Sequence, residues 1–260
     1  MSQQLLSLPA QQRRPLSRRA PLMRADSFGR QVLGYLARTE PPFARQPAPV
    51  TGGFRAALRA ALAFQPFAHP VRGTNLNSAR LRNADLTSAD LRNADLTRAD
   101  LRGANLRHAV LTGANLSAAD LQGAVLVDAI LYLATLYSAR LRATVLTGAD
   151  LRDTNLRNAV LIDAALTEAL LTGANLSGAI LTGADLTGAD LRSAVLSGAD
   201  LRAADLNGTL LGRARWSHTT RWPSAGYEEA IRRQSVELSP GEFEIGADES
   251  RTRVPESAPI

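Results

Sequence analysis

Ala89-Asp90-Leu91-Arg92-Asn93 is followed at once by Ala94-Asp95-Leu96-Thr97-Arg98, and this five-residue phrase runs in one unbroken frame from residue 74 to residue 213, twenty-eight times. Leucine fills every fifth position from Leu76 to Leu211, and the residue two before it is alanine in 24 copies and threonine in the other four, Thr74, Thr144, Thr154 and Thr209. A period of five matches neither the i, i+3, i+4, i+7 stripe of an amphipathic helix nor the strict alternation of a half-buried strand. Units this short cannot bury a face alone and have to stack on one another. On extended backbone, residues two apart point the same way. The alanine and the leucine therefore face a common interior, and the residues between and after them face out.

This phrase, A-(D/N)-L-x-x with Gly, Ser or Asn often in the fifth place, resembles the pentapeptide-repeat family over 140 of 260 residues. The resemblance implies an all-β fold, a right-handed quadrilateral parallel β-helix with four pentapeptides per coil. Twenty-eight repeats then give about seven coils. At about 4.8 Å per coil the rod is roughly 34 Å tall, with residues twenty apart as axial neighbours.

The charge is unevenly spread. Residues 1–73 carry 11 Arg against Asp26 and Glu40, net +9; residues 74–213 carry 13 Arg against 14 acids, net −1; residues 214–260 carry 6 Arg against 8 acids, net −2, and the three add to the +6 of the whole. The Arg-rich stretch 1–25 lacks the continuous apolar core of a secretory signal and reads as a disordered tail, with a targeting role as the alternative. Residues 26–73 form a helical N-terminal segment. One helix over 27–38 follows an N-cap at Asp26 and sets Phe28, Val32, Leu33 and Leu36 on one face; a second runs from Phe54 to Gln65 and stops at Pro66. An open β-helix end exposes unpaired backbone and its core, so the second helix is expected to cap it; a basic helix lying on a membrane surface is the alternative. Residues 214–260 are a C-terminal cap and tail. Trp216, Trp222, Pro223 and Tyr227 follow the last leucine closely, and Thr220-Arg221-Trp222-Pro223 with Gly226-Tyr227 looks like the closing segment of many members of that family. A short helix over 227–234 and an extended pair over 236–245, broken at Pro240-Gly241, complete it.

With a twenty-residue coil, outward positions sort into four faces. One is acidic: Asp85, Asp128, Glu168, Asp185 and Asp205 stand against Arg107 alone, net −4. The Asp-Leu-Arg triplets, such as Asp90/Arg92, read as solvated ion pairs of about 0–1 kcal/mol. More informative are the outward slots that turn apolar. Val110, Val125, Val127, Ile130, Tyr132, Leu133 and Val145 fall on two adjoining faces, with Tyr137 round the next corner. Contiguous exposed apolar surface marks an interface. Its occupant is another protein, a second copy in a homodimer, or the chain's own helix 27–38.

Chemistry is sparse. There is no cysteine, hence no disulfide or thiolate site. His69, His108 and His218 have no metal-ligand partner at useful spacing. No Ser/His/Asp set, phosphate loop or dinucleotide fingerprint occurs, so no catalytic, cofactor or metal site and no small-molecule substrate is expected. No apolar run is long enough to span a membrane. These features describe a cytoplasmic, non-catalytic scaffold or protein-interaction module. The family resemblance adds an alternative: some members protect DNA gyrase or a related type II topoisomerase from quinolones or self-made toxins by imitating duplex DNA. The acidic face favours it; a nearly neutral rod with arginine on three faces opposes it. A third reading is nucleic-acid or membrane-surface binding through the Arg-rich N-terminal segment.

Overall fold

The computed structural model describes residues 72–247. The Arg-rich tail 1–25, the helices expected over 27–38 and 54–65, and residues 248–260 lie outside the described residues.

Every pentapeptide repeats one local geometry. The residue before each leucine bridges in parallel to the residue twenty further on, as Asp90↔Val110, Val110↔Ile130 and Ile130↔Asp150. Four such ladders, starting at Asn75, Arg80, Asp85 and Asp90, form the walls. Each wall ends in a tight turn closed by the alanine N–H donating to the leucine carbonyl three residues back, for instance Ala94 N to Leu91 O at 3.1 Å. The fifth residue of every phrase takes positive φ, as at Asn93 (φ 55°) and Gly103 (φ 64°), which makes the turn type II.

Backbone hydrogen bonding is nearly complete within this geometry. The leucine N–H and the fifth-residue N–H donate to the next coil (Leu91 N to Val110 O, 2.8 Å; Asn93 N to Thr112 O, 3.0 Å), and the bridging residue donates back (Val110 N to Ala89 O, 2.9 Å). One N–H per phrase remains, that of the residue after the leucine. Where aspartate or asparagine stands before the leucine, its side chain accepts it: Thr87 N to Asp85 Oδ1 at 3.1 Å, Ser117 N to Asn115 Oδ1 at 3.1 Å, Arg102 N to Asp100 Oδ1 at 3.4 Å. The aspartates and asparagines of the phrase thus first serve the backbone.

The interior is as the alanine–leucine spacing implies. From Leu91 to Leu201 no leucine of the repeat exceeds 1% exposure. Each contributes about 1.5–3 kcal/mol of transfer free energy. The threonines in the alanine slot bury their hydroxyls against carbonyls: Thr144 Oγ1 donates to Leu121 O and Thr209 Oγ1 to Leu186 O, both at 2.9 Å, and Thr154 Oγ1 to Leu151 O at 2.6 Å.

The ladder outlasts the leucines. Val195 bridges Arg215 and Asp200 bridges Arg221, so Trp216 and Trp222 occupy leucine positions with one extra residue between them. The chain then forms the cap. Strand β1 (Arg215–Ser217) leads to helix α1 (Ala225–Arg233), then β2 (Ser235–Ser239) and β3 (Glu242–Ile245), in an antiparallel sheet of order β1-β3-β2. The helix begins two residues earlier than the sequence suggests, because the Ser224 hydroxyl accepts from Tyr227 N at 3.3 Å and caps it.

Candidate interaction surface

The ladders bring the apolar residues together. Val125 bridges Val145 on one wall and Val110 bridges Ile130 on the next, and Val127 lies at the corner between these walls. At the following corner stand Tyr132 and Leu133, with Tyr137 one corner beyond. Val110, Val125, Val127 and Val145 are half-buried, whereas Ile130 (39%), Tyr132 (36%), Tyr137 (45%) and Leu133 (53%) are the exposed part. The Arg152 guanidinium, one coil on, lies 5.8 Å from the Tyr132 ring centroid while pairing with Asp150 at 2.7 Å. Leu170 (39%) shares the Ile130 ladder but is separated from it by Asp150; Ile180 (37%) lies on another wall.

Leu133 differs from every other residue of its class. It occupies a fifth position at φ 58°. The other described fifth positions hold glycine, small or polar residues; Leu133 is the one large apolar side chain among them. A left-handed backbone is costly for a bulky L-residue, roughly 1–2 kcal/mol. Neither backbone preference nor burial accounts for leucine here.

The acidic residues are dispersed along one wall. Its ladder runs Asp85, Asn105, Val125, Val145, Ala165, Asp185, Asp205, so carboxylates occupy the ends and the apolar corner the middle. The Thr87 hydroxyl and N–H hold Asp85 below the usual carboxylate range, and Thr187, with Thr167, does the same for Asp185. Asp205 accepts from Asn207 N at 3.0 Å. Asp128 lies 3.8 Å from His108 Nδ1, both side chains more than half exposed, and Glu168 sits at a fifth position with φ 58°. The Asp-Leu-Arg triplets form ion pairs (Asp100–Arg102, 2.6 Å; Asp200–Arg202, 2.7 Å), and the same carboxylates accept the arginine backbone N–H, a role the charge pattern alone does not reveal.

The cap is a packed aromatic cluster. Trp216 is fully buried, stacks on Phe243 at 4.6 Å, meets Trp222 edge-on at 5.8 Å and donates Nε1–H to Ser235 Oγ at 3.0 Å. The Arg232 guanidinium covers both rings, 5.4 Å from Trp216 and 5.1 Å from Phe243. Pro223 is half-buried after Trp222. Burial, with the Asp205 charge nearby, pushes the Tyr227 hydroxyl up to about 12. Phe243 and Arg232 are not identifiable from the sequence because their partner Trp216 lies 27 and 16 residues away, with no periodicity to point to them.

Residues 71–103, 99–136, 134–173 and 169–208 match the family profile described as pentapeptide repeats (8 copies). Among solved structures the chain is similar to Rfr23, a pentapeptide repeat protein from the cyanobacterium Cyanothece 51142, at 39% identity over 38% of this chain and 63% of that one, TM-score 0.33. The match thus spans less than two thirds of that protein. It is also similar to HetL from the cyanobacterium Nostoc sp. strain PCC 7120, a pentapeptide repeat protein involved in heterocyst differentiation regulation (30% identity, 61% of this chain, 94% of that one, TM-score 0.27). A trypsin-treated form of QnrB1, a plasmid-mediated fluoroquinolone resistance protein, matches at 20% identity over 55% of this chain and 74% of that one, TM-score 0.44. None of the curated proteins matches the chain.

Proposed function

This chain belongs to the pentapeptide-repeat family, and we propose that it is a non-catalytic scaffold whose rod, about seven coils long, offers the apolar corner around Ile130, Tyr132 and Leu133 to another protein. Proteins of this family form right-handed quadrilateral β-helices. A rigid wall of that kind fixes outward side chains at regular spacing without the loop ordering that flexible binding surfaces require. The observation that carries the reading is Leu133, a half-exposed leucine on left-handed backbone beside exposed Tyr132 and Ile130. Stability gives no reason for it; binding does, since aromatic and aliphatic anchors supply most interface energy.

The DNA-imitating alternative draws less support. Duplex DNA presents phosphate charge along its whole length, whereas the most acidic wall is interrupted by Asn105, Val125, Val145 and Ala165. Binding through residues 1–25 concerns residues outside those described. Among the described residues no helix is long and apolar enough to cross a membrane.

Affinity capture from the source organism tests the proposal, comparing the full chain with a Val127→Arg, Tyr132→Glu double variant. Partners retained by the first and lost by the second support the corner; equal recovery overturns it. Sedimentation of both proteins reports self-association through the same surface, and a gyrase supercoiling assay with and without quinolone tests the alternative.

A further inference from the structure

The wall that starts at Asp90 carries an order that the other three lack. Each wall exposes two columns of side chains, the residue before each leucine and the residue after it, and the ladders set successive rows of these columns twenty residues apart. On this wall every charged row has its acid before the leucine and its base after: Asp90/Arg92, Asp150/Arg152 and Asp190/Arg192. The remaining rows are uncharged, and among them stand the exposed Ile130, Tyr132 and Leu170. The wall starting at Arg80 instead sets Arg80 beside Arg82 and Arg140 beside Arg142. On the acidic wall no aspartate shares a row with an arginine, and the wall starting at Asn75 has only Asp95 and Arg157 in its two columns up to residue 213.

This order is self-complementary in one arrangement. When two copies meet through this wall with their rods parallel, a twofold axis runs between them along the rods. The column before leucine in one copy then faces the column after leucine in the other, at the same height. Asp90, Asp150 and Asp190 meet Arg92, Arg152 and Arg192 of the second copy, and Ile130 meets its Tyr132. Both copies have the same row spacing, so a match in one row holds in all. Antiparallel rods bring like columns together, acid against acid wherever charged rows meet. The ion pairs within one copy leave charge to share: Arg92 and Arg152 give Nε and Nη2 to their own aspartates, yet both side chains stay about half exposed. At the flank, Leu133 of one copy stands level with the Val127 corner of the other, because both residues belong to one coil at opposite edges of this wall.

We propose that the occupant of this wall is a second copy of the chain, packed rod parallel to rod about a twofold axis, with Ile130 and Tyr132 at the centre and aspartate–arginine pairs on either side. The inference rests on the reading of the apolar corner as a docking surface and names its partner.

Sedimentation equilibrium of the purified full chain tests it. Wild type is expected to form dimers. Asp150→Arg sets arginine against arginine across the interface, and Arg152→Asp sets acid against acid. Each variant alone is expected to self-associate at least about 100-fold more weakly. Mixed in equal amounts the two are complementary again, and association is expected to return as heterodimers. Circular dichroism checks that each variant is folded; should one fail, the same reversals at Asp90 and Arg92 repeat the comparison in another row. Variants that associate as wild type does, or a mixture that does not recover, overturn the proposed wall and register. A chain that stays monomeric at every concentration overturns the dimer and leaves the corner to a different protein or to the chain's own residues 27–38, a question the capture comparison above decides separately.

Discussion

Replacing Leu133 by glycine separates a residue kept for binding from one kept for stability. At φ 58° the leucine carries a left-handed penalty of roughly 1–2 kcal/mol that glycine does not. Against this, glycine loses more freedom on folding, roughly 0.5–1 kcal/mol. Leu133 is 53% exposed, so deleting it forfeits about half of a buried leucine's transfer free energy, about 1 kcal/mol. These contributions nearly cancel, and Leu133→Gly is expected to lie within about 1 kcal/mol of wild type, about 2–4 °C in melting temperature for a rod of this size. Its neighbour Leu131 is fully buried, and Leu131→Ala is expected to cost about 2–5 kcal/mol. Urea unfolding followed by circular dichroism measures both. Gly123→Ala calibrates the strain, because a Cβ there at φ 66° meets nothing within 4 Å; a loss of about 1 kcal/mol is expected. A loss of more than about 2 kcal/mol for Leu133→Gly makes Leu133 a packing residue, and a Gly123→Ala variant as stable as wild type removes the backbone penalty assigned to Leu133.

Other consequences follow from the same geometry. Thr144→Ala restores the usual residue of its slot and is expected to cost under about 1 kcal/mol, because Leu121 O keeps its bond from Ala124 N at 2.9 Å; a larger loss in urea unfolding would show that the hydroxyl is needed. Hydrogen bonds from Arg102 hold the Asp100 carboxyl down to about 2, below its ordinary 3.8. A depressed folded-state pKa contributes stability that is present above about pH 4 and fades as pH falls towards about 2. Asp100→Asn retains an acceptor for Arg102 N, so it is expected to be less stable than wild type at about pH 6 and equal to it near about pH 2; a difference independent of pH contradicts the assignment. Trp216→Ala removes the ring that Phe243, Trp222 and Arg232 pack on, and a loss of about 3–5 kcal/mol is expected, with proteolysis beginning at the C-terminal end of the rod.

The leucine and alanine positions are legible in the sequence because burial acts on every copy alike, so the interior appears as a strict period. The fifth position and the residue before leucine are subject to a looser backbone rule, and their meaning is harder to read. One regularity among them is nevertheless plain. Asn83, Asn93, Asp128, Asp153, Asn158 and Asp163 all occupy fifth positions, and each is followed twenty residues later by glycine. The reason is a close approach: a Cβ on Gly148 would stand 2.5 Å from Asp128 Oδ1, and the other five pairs are equally crowded. This correlation gives the coil length from the sequence alone, independently of any resemblance to known repeats. The cap is legible only as a cluster of aromatics, since nothing local ties Trp216 to Phe243 or Arg232.

The same contrast explains why the apolar corner stands out. Outward slots show two local preferences: aspartate or asparagine in about half of the positions where a backbone N–H needs an acceptor, and glycine or a small or polar residue where φ is positive. Val110, Val125, Ile130 and Val145 forgo the first, and Leu133 forgoes the second. A β-branched residue at a bridging position gains some strand preference in exchange, so the valines alone prove little. Leu133 has no such compensation, being half in solvent on a backbone that disfavours it. Bridging positions elsewhere, such as Thr135, Arg140, Val160 and Leu170, also lack the acceptor, so the residue that sets this corner apart is Leu133, the one large apolar side chain at positive φ among the described residues.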